Sequence, residues 1–324
     1  MNRNVFSIVL GLSLLAFTVL AEAQQTKKIS HIGFLATNNL KNNLGALRQG
    51  LRELGYVEGK NFTIEYRSAD GKFDQLPALA AELVRLKVDV IVTQGTPAAV
   101  AAQNAIKTIP IIISGGTDPV ATGLVPSLAR PGGNITGVTI MNEELVGKRL
   151  ELLKETSAKV SRLGVLWNSA NLSGVVQFKQ TQSAAQELGL PLQSLDVQTV
   201  SDLQGAFDAV TKSGVNGLVL LATVPITTHL KLVADLAVKN RLPSIYERSD
   251  FVEAGGLMSY GPNVSDMPHR AAKYVDKVLK GANPGDLPIE RPTKFELMIN
   301  LKTANQIGVT IPQSVIYQAD KVIK

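Results

Sequence analysis

The stretch Val88–Val120, VDVIVTQGTPAAVAAQNAIKTIPIIISGGTDPV, decides the fold. Two β-branched runs, Val88–Val92 and Ile109–Ile113, each break off into small polar residues. The first gives way to Gln94-Gly95-Thr96-Pro97, the second to Ser114-Gly115-Gly116-Thr117-Asp118-Pro119. Short continuous apolar runs bounded by turn residues predict strands buried on both faces. Thr96 followed by Pro97 predicts a helix start, with a hydroxyl at the N-cap and proline at the first helical position. Twice, then, a strand runs into a glycine loop and the beginning of a helix or turn. Unpaired backbone N–H groups and the positive end of a helix dipole face outward there, which suits an anionic group on a ligand.

The same alternation extends in both directions. Upstream, His31–Thr37 and Phe62–Arg67 read as strands, while Leu44, Leu47, Leu51 and Leu54, then Leu76, Leu79, Leu83 and Leu86, repeat at helical spacing. Gly55 closes the first of these helices. Downstream, a strand is expected at Asn134–Thr139. A second series then follows: a helix Glu143–Thr156, a strand Arg162–Trp167 with the loop Asn168-Ser169-Ala170-Asn171, and a helix to about Leu188. The strand Leu192–Val197, the helix Ser201–Ser213, the strand Gly217–Leu221, a helix to Asn240 and strands Pro243–Tyr246 and Leu257–Tyr260 complete it. Such alternation predicts an α/β chain of two similar units, each a parallel sheet with helices on both faces. After Gly261-Pro262-Asn263, a helix capped by Ser265 and stopped by Gly281 and Pro284, the strand Phe295–Asn300 and the helix Leu301–Ile307 follow a second unit that is already complete. The chain is therefore expected to cross between the domains near residue 140, at Gly261-Pro262-Asn263 and at Pro288–Pro292, forming a multi-segment hinge. The expected lobes are 30–140 plus 263–290 and 141–262 plus 291–324.

Residues 1–23 read as a cleavable export signal, with Arg3 ahead of an apolar run and Ala21-Glu22-Ala23 as the cleavage pattern. The apolar run is shorter than the roughly 20 residues a membrane span needs. The chain has no cysteine, which excludes a disulfide framework, a thiol nucleophile and cysteine metal sites. Its net charge of +6 is scattered among acidic residues, so no nucleic-acid partner is expected.

Ligands of open parallel α/β sheets bind at the carboxyl ends of the strands. Those ends carry Thr37, Asn38, Gly95, Thr96, Ser114, Thr117, Asp118, Asn168, Asn171, Thr223, Tyr246 and Glu247, which are the candidate ligand-binding residues. Thr96 with the N–H groups after Gly95 suits a carboxylate, and Asp118 suits an amine or serves its own Asp-Pro turn. Trp167 is either core or an aromatic wall of the cleft. The three histidines, His31, His229 and His269, lie at a strand start or in helices, so a Ser–His or Cys–His pair has no place to form. Zinc-protease, P-loop and dinucleotide motifs are lacking too, and neither cofactor, metal nor catalytic residue is expected. Asp118 with Glu247 is the one acid–base pair a hydrolase reading has to work with.

The segments Gly50–Ala99 (GLRELGYVEGKNFTIEYRSADGKFDQLPALAAELVRLKVDVIVTQGTPAA), ARPGGNITGV, GKRLELLKE, VLWN-x-AN, EAGGLMSYGPN, YVDKVLKGANPGDLPIERPTKFELMINLKTA and GVTIP closely resemble a family of exported ABC-transporter substrate-binding proteins. The resemblance spans essentially the whole chain after the signal. It implies a type I periplasmic-binding-protein fold, with two Rossmann-like domains with parallel sheets joined by three hinge segments and the ligand held between them, periplasmic localisation and an ABC permease as membrane partner. Some members bind tryptophan or other aromatic amino acids. Carried over by position, it points to Gly95, Thr96, Thr117, Asp118, Asn168, Asn171 and Tyr246. The family loop commonly reads N-P-A-N-P where this chain has Asn168-Ser169-Ala170-Asn171-Leu172, so two prolines are lost and a looser loop is expected. The expected function is a periplasmic receptor for a small, amino-acid-like ligand. The alternatives are a sensing partner of a receptor kinase, docking there instead of at a permease, and the hydrolase using Asp118 and Glu247.

Overall fold

Strand and helix follow each other because runs buried on both faces alternate with amphipathic stripes. The computed structural model describes residues 29–38, 41–116, 118–140, 143–157 and 159–324; the expected export signal and Thr117 lie outside the described residues. The first unit runs β1 (Ser30–Ala36), α1 (Lys41–Glu53), β2 (Phe62–Ser68), α2 (Leu76–Arg85), β3 (Val90–Gln94), α3 (Thr96–Ala105), β4 (Ile111–Ser114) and β5 (Ile135–Val138). The second runs α4 (Glu143–Thr156), β6 (Leu163–Trp167), α5 (Leu172–Glu187), β7 (Leu192–Asp196), α6 (Asp202–Ser213), β8 (Gly217–Leu220), α7 (Leu230–Lys239), β9 (Ser244–Tyr246), α8 (Ser249–Glu253) and β10 (Met258–Pro262). The tail adds α9 (Met267–Leu279), β11 (Phe295–Asn300), α10 (Leu301–Ile307), α11 (Gln313–Tyr317) and β12 (Lys321–Ile323).

Two sheets result. The first has the order β2-β1-β3-β4-β5 and is parallel throughout. The second has the order β12-β11-β10-β9-β8-β6-β7 and is parallel except for the β10–β11 pair. That antiparallel pair departs from the all-parallel expectation. The chain leaves the second sheet along β10, forms α9 against the first sheet, and returns along β11, so the outgoing and returning strands run opposite ways. Met267, Ala271, Tyr274 and Val275 of α9 share a buried cluster with Phe34, Val92 and Ile112 of the first sheet. Pro262 pairs with Phe295, Val138 bridges Glu290, and the Thr139 N–H donates to the Glu290 carbonyl at 2.9 Å. The three crossing segments are thus hydrogen-bonded to one another where they pass between the sheets.

The leucine stripes are core, with a limit at their ends. Leu44, Leu47 and Leu51 are buried, as are Leu76 and Leu83, but Leu54 and Leu86 are exposed. α1 ends at Glu53 and α2 at Arg85, so the last leucine of each stripe lies beyond the helical period that would turn it inward. The tail helix starts at Met267 with Asp266 as its N-cap, one residue after the expected Ser265. No helix among the described residues is long and apolar enough to cross a membrane.

Candidate ligand-binding cleft

In a sheet of order 2-1-3-4-5 the connections reverse direction between β1 and β3, leaving a crevice at the carboxyl ends of those strands. Thr37 and Asn38 follow β1 there, facing Gln94 and Gly95 at the end of β3. Gly95 has φ +87°, and a Cβ at that position would stand 2.4 Å from the Thr37 hydroxyl oxygen. Only glycine lets β3 turn this tightly into α3. Gly95, not Thr96, is accordingly the N-cap of α3, and Thr96 is its first helical residue. The second sheet has its own reversal between β6 and β8, where Asn168–Asn171 and Ala222–Thr227 stand at the strand ends. Asn171 caps α5, its Oδ1 accepting the Ser173 N–H at 2.9 Å.

The two crevices open into one cavity of about 790 Å³. From the first lobe it is lined by Thr37, Asn38, Gln94, Gly95, Thr96, Ser114 and Gly116. Asn171, Ser173, Gln177, Val224, Thr227, Glu247 and Arg248 line it from the second. The N-termini of α3 and α5 both reach it, so two positive helix ends share one space. Several buried oxygens in or beside it find no hydrogen-bond partner in the protein: Asn38 Oδ1, Gln94 Oε1, Ser114 Oγ, Thr223 Oγ1 and Thr227 Oγ1. Each unsatisfied buried group costs about 1–3 kcal/mol.

Seven of the candidate residues, Thr37, Asn38, Gly95, Thr96, Ser114, Asn171 and Glu247, therefore line one space. Four are not among the lining residues. Asp118 Oδ1 accepts the N–H groups of Val120 and Ala121 at 2.7 and 3.2 Å, so its carboxylate serves the Asp-Pro turn. Asn168 donates to the Val224 carbonyl at 2.6 Å and accepts the Ala170 N–H at 2.8 Å, which makes it a brace for both second-lobe loops. Thr223 lies beneath the wall between Ala222 and Val224, and Tyr246 is fully buried, edge-on to Phe251. Burial pushes the Tyr246 phenol well above its ordinary pKa, keeping it neutral, and its oxygen also lacks a partner. Trp167 is core-side: it stacks on Phe178 at 4.2 Å and donates to Ser194 Oγ at 2.8 Å. With Asp118 committed to its turn, Asp118 and Glu247 do not form an acid–base pair across the cavity.

The Asn168–Leu172 loop is tied down where a looser one was expected. Ser169 donates both its N–H and its hydroxyl to Asp196, at 2.9 and 2.6 Å. A proline at 169 has neither donor, so the substitution exchanges ring stiffness for two hydrogen bonds. Desolvation works to raise the Asp196 carboxyl, but these bonds outweigh it and hold its pKa below the ordinary value.

The two arginines beside Glu247 escaped the sequence reading. Arg149 of α4 lies 3.7 Å from Glu247, both buried, and donates to the Tyr260 carbonyl at 3.4 Å. Burial lowers the pKa of the Arg149 guanidinium, with Glu247 opposing that shift. Arg248 pairs with Asp250 at the rim. Burial acts against its charge too, but the carboxylates of Asp250 and Glu247 oppose that, and its pKa lies above the ordinary value. Ser173 and Gln177 were also missed, although buried polar residues four apart on a helix are a legible sign of a face turned to a site.

Comparison with known proteins agrees with this geometry. The family described as ABC transporter substrate binding protein matches residues 28–323. A tyrosine-binding protein of Clostridioides difficile is 29% identical over 265 residues, covering 81% of this chain and 75% of its own length. A Streptococcus pneumonia domain solved in complex with L-Trp is 28% identical, covers 91% of this chain and 99% of its own, and superposes with a TM-score of 0.85. The ligand-free, open structure of a substrate-binding protein with adhesive properties from Clostridium difficile is 25% identical, covers 91% and 100%, and gives a TM-score of 0.66.

Proposed function

We propose that this chain, which belongs to the ABC transporter substrate-binding protein family and has the type I periplasmic-binding-protein fold, is an exported receptor that closes its two lobes around a small amino-acid-like ligand and delivers it to an ABC permease. The observation that carries this reading is the cavity reached by two helix N-termini and lined by polar side chains from both lobes. Two such helix ends favour an anionic group such as a carboxylate, each worth up to about 2 kcal/mol when partly buried. The seven lining candidates, Thr37, Asn38, Gly95, Thr96, Ser114, Asn171 and Glu247, are the residues assigned to that ligand. Lobes of 30–140 plus 263–290 and 141–262 plus 291–324 then move about the three hinge segments. At nearly equal identity and coverage, the chain superposes better on the L-Trp complex than on the open, ligand-free structure, which supports a closed arrangement here. The tyrosine-binding and L-Trp-bound relatives support an amino acid as ligand class. The export signal at 1–23 and the permease partner complete the reading.

A ligand that binds only the folded, closed form stabilises it by about 2.7 kcal/mol at 100 times its Kd. A thermal-shift screen of amino acids, small carboxylates and sugars on the purified protein is expected to give a rise of several degrees with a narrow group of amino acids. No rise with any class, at millimolar concentrations, contradicts the reading.

A further inference from the structure

We propose that Gly71 and Val224 form the outer seal of the closed cleft, a contact between the lobes that exists only on closure and that needs position 71 to carry no side chain. This rests on the receptor reading above and names the contact that completes its closure. Gly71 follows β2 in the first lobe, and Val224 follows β8 in the second. A Cβ at Gly71 would stand 3.1 Å from Val224 Cγ1 and 3.7 Å from Asn38 Oδ1. Carbon atoms in good contact lie about 3.5–4.0 Å apart, so the two lips meet with less than a methyl group's room between them. Asn38 and Val224 both line the cavity, which puts the contact on its wall.

Both lips are held by hydrogen bonds to their own strand ends. The Gly71 N–H donates to the Thr37 carbonyl at 2.9 Å, and Ser68 Oγ donates to Asp70 Oδ1 at 2.7 Å. Opposite, the Val224 carbonyl accepts the Asn168 side-chain amide at 2.6 Å. A larger side chain at 71 therefore meets a braced loop, and the lobes must part to admit it. The place of the contact makes it specific to closure. In the first sheet β2 is the edge strand farthest from β5, where Val138 bridges Glu290 of the hinge. Four strand spacings put the Gly71 lip about 19 Å from that hinge. An opening of about 20° then parts the lips by about 7 Å, well beyond contact. The helices α3 and α5 also approach each other across the cleft, but α3 follows β3, two strands nearer the hinge.

The chain has no cysteine, so a pair introduced at the lips has no competitor. A disulfide sets each Cβ roughly 3 Å from the far sulfur, which matches the 3.1 Å between a Cβ at 71 and Val224 Cγ1. Oxidation of the signal-free Gly71→Cys/Val224→Cys protein is expected to link the two thiols within one chain and to give the small-angle X-ray scattering of the closed structure. Two free thiols in the folded, oxidised protein, or linked protein that scatters as an open form, overturns the inference. Gly71→Asn gives a second reading that needs no link. Asparagine accepts positive φ, and Gly59→Asn, at φ +81° with nothing within 4 Å, carries the same backbone cost away from the lip. With L-tryptophan and L-tyrosine as probes, Gly71→Asn is expected to bind at least about tenfold more weakly than Gly59→Asn, since affinity falls with the fraction able to close. Equal, measurable affinity in the two variants overturns the inference as well. Linking needs no ligand, so it is read apart from the thermal-shift screen. Unlinked thiols with a rise in Tm for an amino acid sink the seal and leave the receptor reading standing; linked, closed protein with no rise for any class does the reverse.

Discussion

Arg149→Met is expected to lower the unfolding free energy by about 3–5 kcal/mol at pH 7, because it removes the guanidinium 3.7 Å from the buried Glu247 carboxylate. Methionine fills much of the same space, so the loss is electrostatic more than steric. The pH dependence has a definite sign. Without the adjacent cation, desolvation favours the neutral carboxyl and raises the folded-state pKa of Glu247 above its unfolded value of about 4.3. The folded variant then binds a proton that the unfolded chain does not hold, so its stability rises as pH falls through the raised pKa. The deficit is greatest at neutral pH and shrinks on acidification. Denaturant unfolding of wild type and variant from pH 7.5 to 4.5 measures it. The double variant Arg149→Met/Glu247→Gln is expected to recover part of the loss, since it removes the buried carboxylate charge as well.

Gly261→Ala is the second large effect. Gly261 sits in β10, opposite Glu296, and a Cβ there would stand 1.9 Å from the Glu247 carbonyl oxygen. Backbone cannot swing aside as a side chain can. The strand must shift, at a cost of about 3 kcal/mol. For a chain of this size that corresponds to a fall in Tm of roughly 6–12 °C. Glu247 lines the cavity, so the same shift is expected to weaken ligand binding. Gly205→Ala, in α6 where an added Cβ meets nothing within 4 Å, is the control and is expected to hold or raise Tm.

These two positions mark where local sequence signals stop. Phe295–Asn300 and Leu301–Ile307 were legible to the residue, because a short apolar run and a helical stripe are written in neighbouring residues. The cleft edge at Thr37, Gly95 and Ser114 was legible because small polar residues and glycine interrupt buried strands. The reverse direction of β11 was not, since it depends on a return through α9 in the other lobe. Lys321–Ile323 is too short to show a period, yet it pairs with β11. Arg149 is one charged residue on a helix rich in them. Only the fold shows that it is buried against a glutamate nearly a hundred positions away. Asp118 and Asn168 were placed at the correct strand ends, but sequence does not tell a side chain facing a ligand from one bracing its own loop.

The central claim is that both lobes grip one small molecule between the ends of α3 and α5. Native mass spectrometry of the protein purified from its own source tests it most directly. The account predicts a single non-covalent adduct of amino-acid mass, bound one to one, released on denaturation and lost when Ser114→Tyr fills the cavity. A bare protein that remains bare after exposure to amino acids, or an adduct that survives Ser114→Tyr unchanged, would contradict it.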